Sequence, residues 1–333
     1  MKVGLDAYTL RESDLTIWQL LDRVVHHHLE GLQFSHRMIE DLSQQQIQAL
    51  AARAAELGLY LELAGSSVNP GRTGRTVLQV VDEWMPALRL AESVGAAIIN
   101  TSFGLLKERL FTSPSLGEQI DMTAQVLCTL APAAQAHNVT ITVELHVDLT
   151  SIELLRLIEK VNSPHVAVNL DTANACGLME DPVQAAMRLA PYVRTTHLKD
   201  SCVYPSEEGY NWQGGAALGR GVVDLPAIAD ILYRTNPHVN LNIEDSGGYI
   251  PIPIHDEGFL DTLSDLTPRD VVNFYQLLMR GQEMVRSGMQ PTPEEHRRMN
   301  WKDVIEARLE FNADYARRLR DDIVAKYSAH ALT

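Results

Sequence analysis

The chain has 333 residues, 45% hydrophobic and 21% charged, and a formal net charge of −15 at pH 7. It is long enough to bury a full core as one large domain or two modest ones, and its acidity argues against nucleic acid, whose phosphates need a positive surface. No apolar run approaches the roughly 18 residues of a membrane span. Cys128, Cys176 and Cys202 make neither a disulfide framework nor a C-x-x-C knuckle, so a reducing, cytoplasmic setting is expected.

In chain order, the opening run KVGLDAY reads as a strand, not a secretory leader. Short apolar runs then recur at GLQFSH, YLELAGS, AIINTSF, TITVELH, HVAVNLD, YVRTTHLKD and VNLNIED. Between them lie amphipathic segments such as SQQQIQALAARAAELGL, VLQVVDEWMPALRLAESVG and SIELLRLIEKV. Gly58 and Gly95 fall just past the last apolar residue of their segments, where helices stop. Strands alternating with helices mean βα units and a parallel sheet. An open sheet fits the pattern almost as well, but eight units over about 250 residues favour a (β/α)8 TIM barrel.

The barrel is expected over residues 1–288, with TPRDVVNFYQLLMRGQEMVRSG serving as its closing helix. Residues 289–333 read as a charged helical C-terminal extension, with Thr-Pro-Glu-Glu at its start. The apolar stripe Trp301, Ile305, Leu309, Phe311 and Tyr315 packs either on the barrel or on a second subunit. SGGYIPIPIHDEG is too rich in Gly and Pro for a helix and suits a lid or a partner contact. The three histidines 26–28 sit inside a helix, where consecutive side chains diverge, so they are not a metal site.

The strand ends carry the chemistry. TVELHVDLT places Glu144, His146 and Asp148 two apart, hence on one face of an extended chain. The next strands end in Asp171, His197 and Glu244, all at the C-terminal level, which in a barrel is the mouth of the site. Three carboxylates converging without a cation raise one another's pKa. A divalent metal removes that conflict, and three oxygens with one imidazole suit Mn²⁺, Mg²⁺ or Co²⁺ over a thiol-preferring ion.

VELHVDLTS, VNLDTAN, THLKD and LGRGVVDL resemble the xylose isomerase-like barrels of the sugar isomerase and epimerase superfamily over roughly residues 1–250. The resemblance implies Glu144, Asp171, His197 and Glu244 as ligands of one divalent metal, commonly manganese. It also implies proton abstraction next to a carbonyl, through an enediolate, in carbohydrate metabolism. Three positions depart from the ketohexose epimerase pattern: Asn174, Val203 and Thr150 stand where those enzymes carry histidine, arginine and an acid. Glu-x-His resembles instead the catalytic subunits of C-glycoside deglycosidases, 3-oxo-glycoside lyases and oxo-sugar-acid decarboxylases. The expected activity is therefore elimination from an oxidised (3-oxo) sugar or glycoside, with isomerase, epimerase or decarboxylase as alternatives.

His146 is the expected general base, and Glu144 and Glu244 complete the catalytic candidates. His36, Asn174, Lys199, Trp212 and Arg220 are the candidates for holding substrate. Several have plainer readings: His36 as a structural residue, Lys199 as a solvated lysine, and Trp212 with Tyr210 as a local core. Asp148 either orients His146 or, preferably, caps the next helix. LGRG, with Arg220, reads as a tight loop over the mouth, not a nucleotide loop. No cluster of Arg and Lys marks the mouth, so the carbohydrate is expected to be unphosphorylated. The expected partners are a homo-oligomeric copy or a small second subunit, with no nucleic acid and no membrane. A DNA-repair endonuclease barrel and a non-catalytic sugar-binding barrel are the rivals.

Overall fold

The structure, a computed structural model, describes residues 1–330. Its strands are β1 (Lys2–Asp6), β2 (Gly31–Ser35), β3 (Tyr60–Ala64), β4 (Ile98–Thr101), β5 (Thr140–Glu144), β6 (Val166–Asp171), β7 (Val193–Leu198), β8 (Asp200–Ser206), β9 (Gly209–Ala216), β10 (Asn240–Ile243) and β11 (Tyr249–Ile252). The order β1-β10-β7-β6-β5-β4-β3-β2 closes on itself as a parallel barrel, Leu5 pairing with Ile243 on one side and Leu32 on the other. The expected (β/α)8 barrel is what the chain forms. β8, β9 and β11 make a separate antiparallel sheet.

Local chemistry explains the helices. Thr16 with Gln19, Ser43 with Gln46, Thr76 with Gln79, Ser115 with Glu118 and Thr150 with Glu153 each form a reciprocal capping box, satisfying backbone N–H groups that the first turn leaves unpaired. Gly95 ends its helix at φ 74°, a left-handed position that suits glycine. The helix Ser151–Val161 buries Leu154, Leu157, Ile158 and Val161, the stripe that a 3.6-residue period turns toward the strands.

Closure differs from expectation. The helix Pro268–Arg286 does not close the barrel; it packs on β8, where a Cβ on Gly281 would lie 1.8 Å from the Val203 carbonyl oxygen. Its Phe274 and Leu278 join Tyr210, Trp212, Ile252 and Phe259 in a second apolar core. The helix Trp301–His330 packs across β1 and β10 instead, burying Ile305, Leu309, Ala313, Ala316, Leu319 and Ile323. Phe311 and Tyr315, expected on that stripe, are only half-buried at its edge.

Two smaller expectations also change. Tyr249–Ile252 is a strand paired with β9, not a free lid. The helix before the histidine run ends at His26; His27 caps it and His28 takes φ 54°.

Candidate metal centre and its cavity

Glu144, Asp171, His197 and Glu244 come from the ends of four neighbouring strands of the barrel order, and each offers a ligand atom within 4.8 Å of the others. All four are buried. Nδ1 of His197 stands 2.8 Å from Glu244 Oε2 and 3.2 Å from Glu144 Oε1. One oxygen of Asp171 accepts from the N–H groups of Ala173 and Asn174, so its other oxygen is the one available to the cluster.

The orientation of His197 is set from across the barrel. Glu62, buried inside the barrel, accepts hydrogen bonds from Gln33 Nε2 (2.9 Å), Thr195, Asn240 and Asn242. With its NH₂ engaged there, Gln33 turns Oε1 toward His197 Nε2 at 2.6 Å. Nε2 therefore carries the proton and donates, leaving the Nδ1 lone pair aimed at the acids. Asn169 also faces Nε2, at 3.0 Å, and its own oxygen has no partner; turned toward the ring, that oxygen is a second acceptor. Nδ1 is buried without a satisfied hydrogen bond. A buried lone pair facing carboxylates is costly unless a cation sits between them, so this donor set fits a divalent metal.

Charge shows the same need. Burial would lower the His197 pKa, yet Glu144 and Glu244 hold it well above the imidazole range. Burial would raise both glutamates, but His197 holds Glu144 low, and Lys199 with His197 holds Glu244 well below the carboxylate range. Burial pushes Asp171 up to about 6, against the pull of Lys199, and Asp6 up to about 7, against that of His197. Lys199 is itself buried and salt-bridged to Glu244 at 2.6 Å and Asp171 at 3.3 Å. It is not a solvated lysine.

A cavity of about 580 Å³ opens onto this cluster, with Glu144, His197 and Glu244 in its wall beside His146, Asp6, Gln33, Asn100 and Arg72. Its size suits a small organic ligand. His146 is half-buried, and its Nδ1 has no hydrogen-bond partner.

With fold and site in view, relatives are informative. The pattern of the xylose isomerase-like TIM barrel family matches residues 21–258. The chain belongs to that family. It is 24% identical over 210 residues to a 3-oxo-isoapionate decarboxylase from Pectobacterium atrosepticum, a match spanning 62% of this chain and 68% of the relative. The D-psicose 3-epimerase of Clostridium cellulolyticum H10, solved with D-tagatose, superposes with a TM-score of 0.59 at 16% identity, over 85% of this chain and 99% of its own. A xylose isomerase-like barrel protein from Mycobacterium smegmatis, solved in complex with magnesium, gives 0.58 at 15% identity, over 82% and 97%. At these identities the solved structures speak for the fold alone.

Within this xylose isomerase-like barrel, the other expected site residues separate. Asn174 is buried next to Asp171, with its Nδ2 unpartnered. Trp212 donates to the Ala173 carbonyl at 3.2 Å and Tyr210 to that of Cys176 at 2.8 Å. Both belong to the second core, although Lys199 Nζ lies 5.6 Å from the Trp212 ring centroid. His36 is not in the cavity wall; its Nδ1 lies 2.9 Å from the Ala64 carbonyl oxygen. Arg220 is exposed, with its guanidinium 5.6 Å from the Phe311 ring centroid. No residue of LGRG lines the cavity, and Asp200 accepts from the N–H groups of Gly221 and Val223, tying that loop down. Asp148 does not cap the next helix, because Thr150 does. Its carboxylate accepts from Gly104 and Leu149 instead. Burial raises it to about 6, against the charge of His146.

Sequence reasoning passed over Asp6, Gln33, Glu62 and Arg72. Asp6 carried the same signal as Asp171, an acid closing an apolar strand. The others had none, because their importance depends on what lies across the barrel.

Proposed function

We propose that this chain is a divalent-metal-dependent lyase acting on an oxidised (3-oxo) sugar or glycoside, with Mn²⁺ as the ion. The observation that carries the reading is His146, an imidazole with an unpartnered Nδ1 in the cavity wall that also holds three of the four clustered groups. A divalent cation held by Glu144, Asp171, His197 and Glu244 would supply Lewis acidity at the substrate carbonyl.

The chain's own residues account for the proton. With Nδ1 shut off from water, the His146 ring offers Nε2 as the acceptor. It removes the hydrogen next to the carbonyl, and the C–H electron pair becomes the double bond of an enolate. Collapse of the enolate expels the group on the next carbon with its bonding pair, and the imidazolium returns the proton to that group. Asp148, buried beside the ring, is close enough to interact with the charge of His146. Lys199 offsets the charge of Asp171 and Glu244.

Two observations favour related outcomes of the same enolate chemistry. The relative from Pectobacterium atrosepticum is a decarboxylase by name, which fits loss of CO₂. Glu144 and Glu244 both face the cavity, an arrangement that suits return of the proton in an isomerase or epimerase. A proton NMR time course in D₂O separates them, using Mn²⁺-loaded protein with 3-oxo-glucosides, ketohexoses and 3-oxo sugar acids. Release of an aglycone, lost in His146→Ala and Glu244→Ala, is expected. Deuterium entry or a new stereoisomer without bond cleavage would replace the lyase with an isomerase.

A further inference from the structure

The cavity wall also carries a cation with no partner of its own. Arg72 lines the cavity, and its Nη1 is closed off from water without a hydrogen-bond partner. It has no ion pair among the described residues. Arg11, the other guanidinium in the wall, is engaged: it donates to the Tyr8 carbonyl, lies 4.4 Å from the Tyr8 ring centroid and stands 3.6 Å from Glu12. An unmet guanidinium N–H in a buried setting costs free energy that a bound anion would recover.

The backbone under Arg72 is firmly held. It lies on the single turn Pro70–Thr73, begun by Asn69, whose side chain accepts from Gly71 N and donates to Gln119. Asn69 and Gln119 are both fully buried. A Cβ on Gly71 would fall 2.7 Å from Gln119 Cγ, so the turn sits tightly on the helix Leu116–Ala136. The turn follows β3, and Arg72 shares the cavity wall with Glu144, His197 and Glu244 of the acid cluster.

We propose that Arg72 binds the carboxylate of the substrate, making this cavity selective for an anionic oxo-sugar acid over a neutral sugar; this rests on reading the cavity as a sugar site. A guanidinium fork matches a carboxylate in two parallel hydrogen bonds. Binding there orients a short chain across the cavity, carboxylate at Arg72 and carbonyl end at the cluster. One arginine without a second free cation suits a carboxylate better than a phosphate ester.

The test is calorimetric titration of Mn²⁺-loaded protein with D-ribonate, ribitol and D-ribose 5-phosphate, in the wild type, Arg72→Met and Arg72→Lys. Ribonate should bind tighter than ribitol by about tenfold or more. That preference should fall to near unity in Arg72→Met and return in part in Arg72→Lys, at similar melting temperatures. Should Arg72→Met fail to fold, Arg72→Lys decides by an intermediate ratio. Equal binding of ribonate and ribitol by the wild type, or a preference that survives Arg72→Met, overturns the proposal. A larger Arg72-dependent gain for ribose 5-phosphate overturns the carboxylate assignment. Binding needs no turnover, so an Arg72-dependent preference in a protein that cleaves no oxo-sugar removes the lyase and keeps the subsite. Cleavage of 3-oxo sugar acids at a kcat/KM unchanged in Arg72→Met does the reverse.

Discussion

Nδ1 of His197 stands 2.8 Å from Oε2 of Glu244, so a proton or a metal ion must lie between them. Burial opposes that proton, but Glu144 and Glu244 outweigh it and keep the imidazole protonated well above its usual range. A divalent ion must displace the proton, so its affinity rises with pH until His197 deprotonates unaided. Mn²⁺ binding should strengthen by about tenfold per pH unit from pH 6 to 7, with about one proton released per ion. Titrations in buffers of different ionisation enthalpy measure both. A flat profile would mean that His197 is not a ligand.

Gln33 holds Nε2 of His197 at 2.6 Å and is itself held by Glu62. Gln33→Met removes the acceptor that fixes the tautomer while keeping side-chain bulk. Mn²⁺ affinity should drop roughly 10–100-fold with little change in the fold. Electron paramagnetic resonance of free Mn²⁺ at equilibrium reads this directly, and wild-type affinity in the variant would show that the ring needs no such support.

Lys199 is the cation that Asp171 and Glu244 share. Lys199→Met takes from Asp171 its nearest cation and leaves Glu244 with His197 alone, which should destabilise the metal-free protein by about 3 kcal/mol. Saturating Mn²⁺ should restore much of the loss, because it binds the native state alone. Urea unfolding with and without the ion tests this; equal losses in both would separate Lys199 from the cluster.

Arg109 reaches the same region through the backbone. Its side chain is fully buried, bonds Glu153 at 2.6 and 3.1 Å and donates to the Asp148 carbonyl at 2.8 Å. Glu153 is in turn the capping-box residue of the helix after β5. Arg109→Met should cost about 3–5 kcal/mol in urea unfolding by stranding a buried carboxylate. A loss below about 1 kcal/mol, the range of exposed pairs, would show that the bridge is not acting as a buried one.

Much of the fold was legible because it is written in local terms. SIELLRLIEKV forms the helix Ser151–Val161, and VLQVVDEWMPALRLAESVG forms Val77–Val94 with Gly95 as its cap. The sheet β8-β9-β11 was not legible. Only Lys199 separates β8 from β7, so the run YVRTTHLKD hid the start of a new strand, and β11 reaches β9 from beyond β10, Tyr249 pairing with Gln213. Nor was the closing helix: the segments 268–286 and 301–330 are both amphipathic, and it is their packing, Gly281 and Phe274 on the second sheet and Ile305 to Ile323 on the barrel, that separates their roles.

By itself the sequence determined the barrel and the four polar residues at the ends of β5, β6, β7 and the strand before Glu244. Strand periodicity and parallel order bring such residues to one rim, whatever the rest of the chain does. Tertiary structure alone decided which way His197 faces, that Lys199 is buried among acids, and that Arg72 rather than Arg220 lines the cavity. Those facts depend on contacts between strands and loops distant in sequence, such as Glu62 with Gln33 and Asn242, and no local pattern encodes a distance across a barrel.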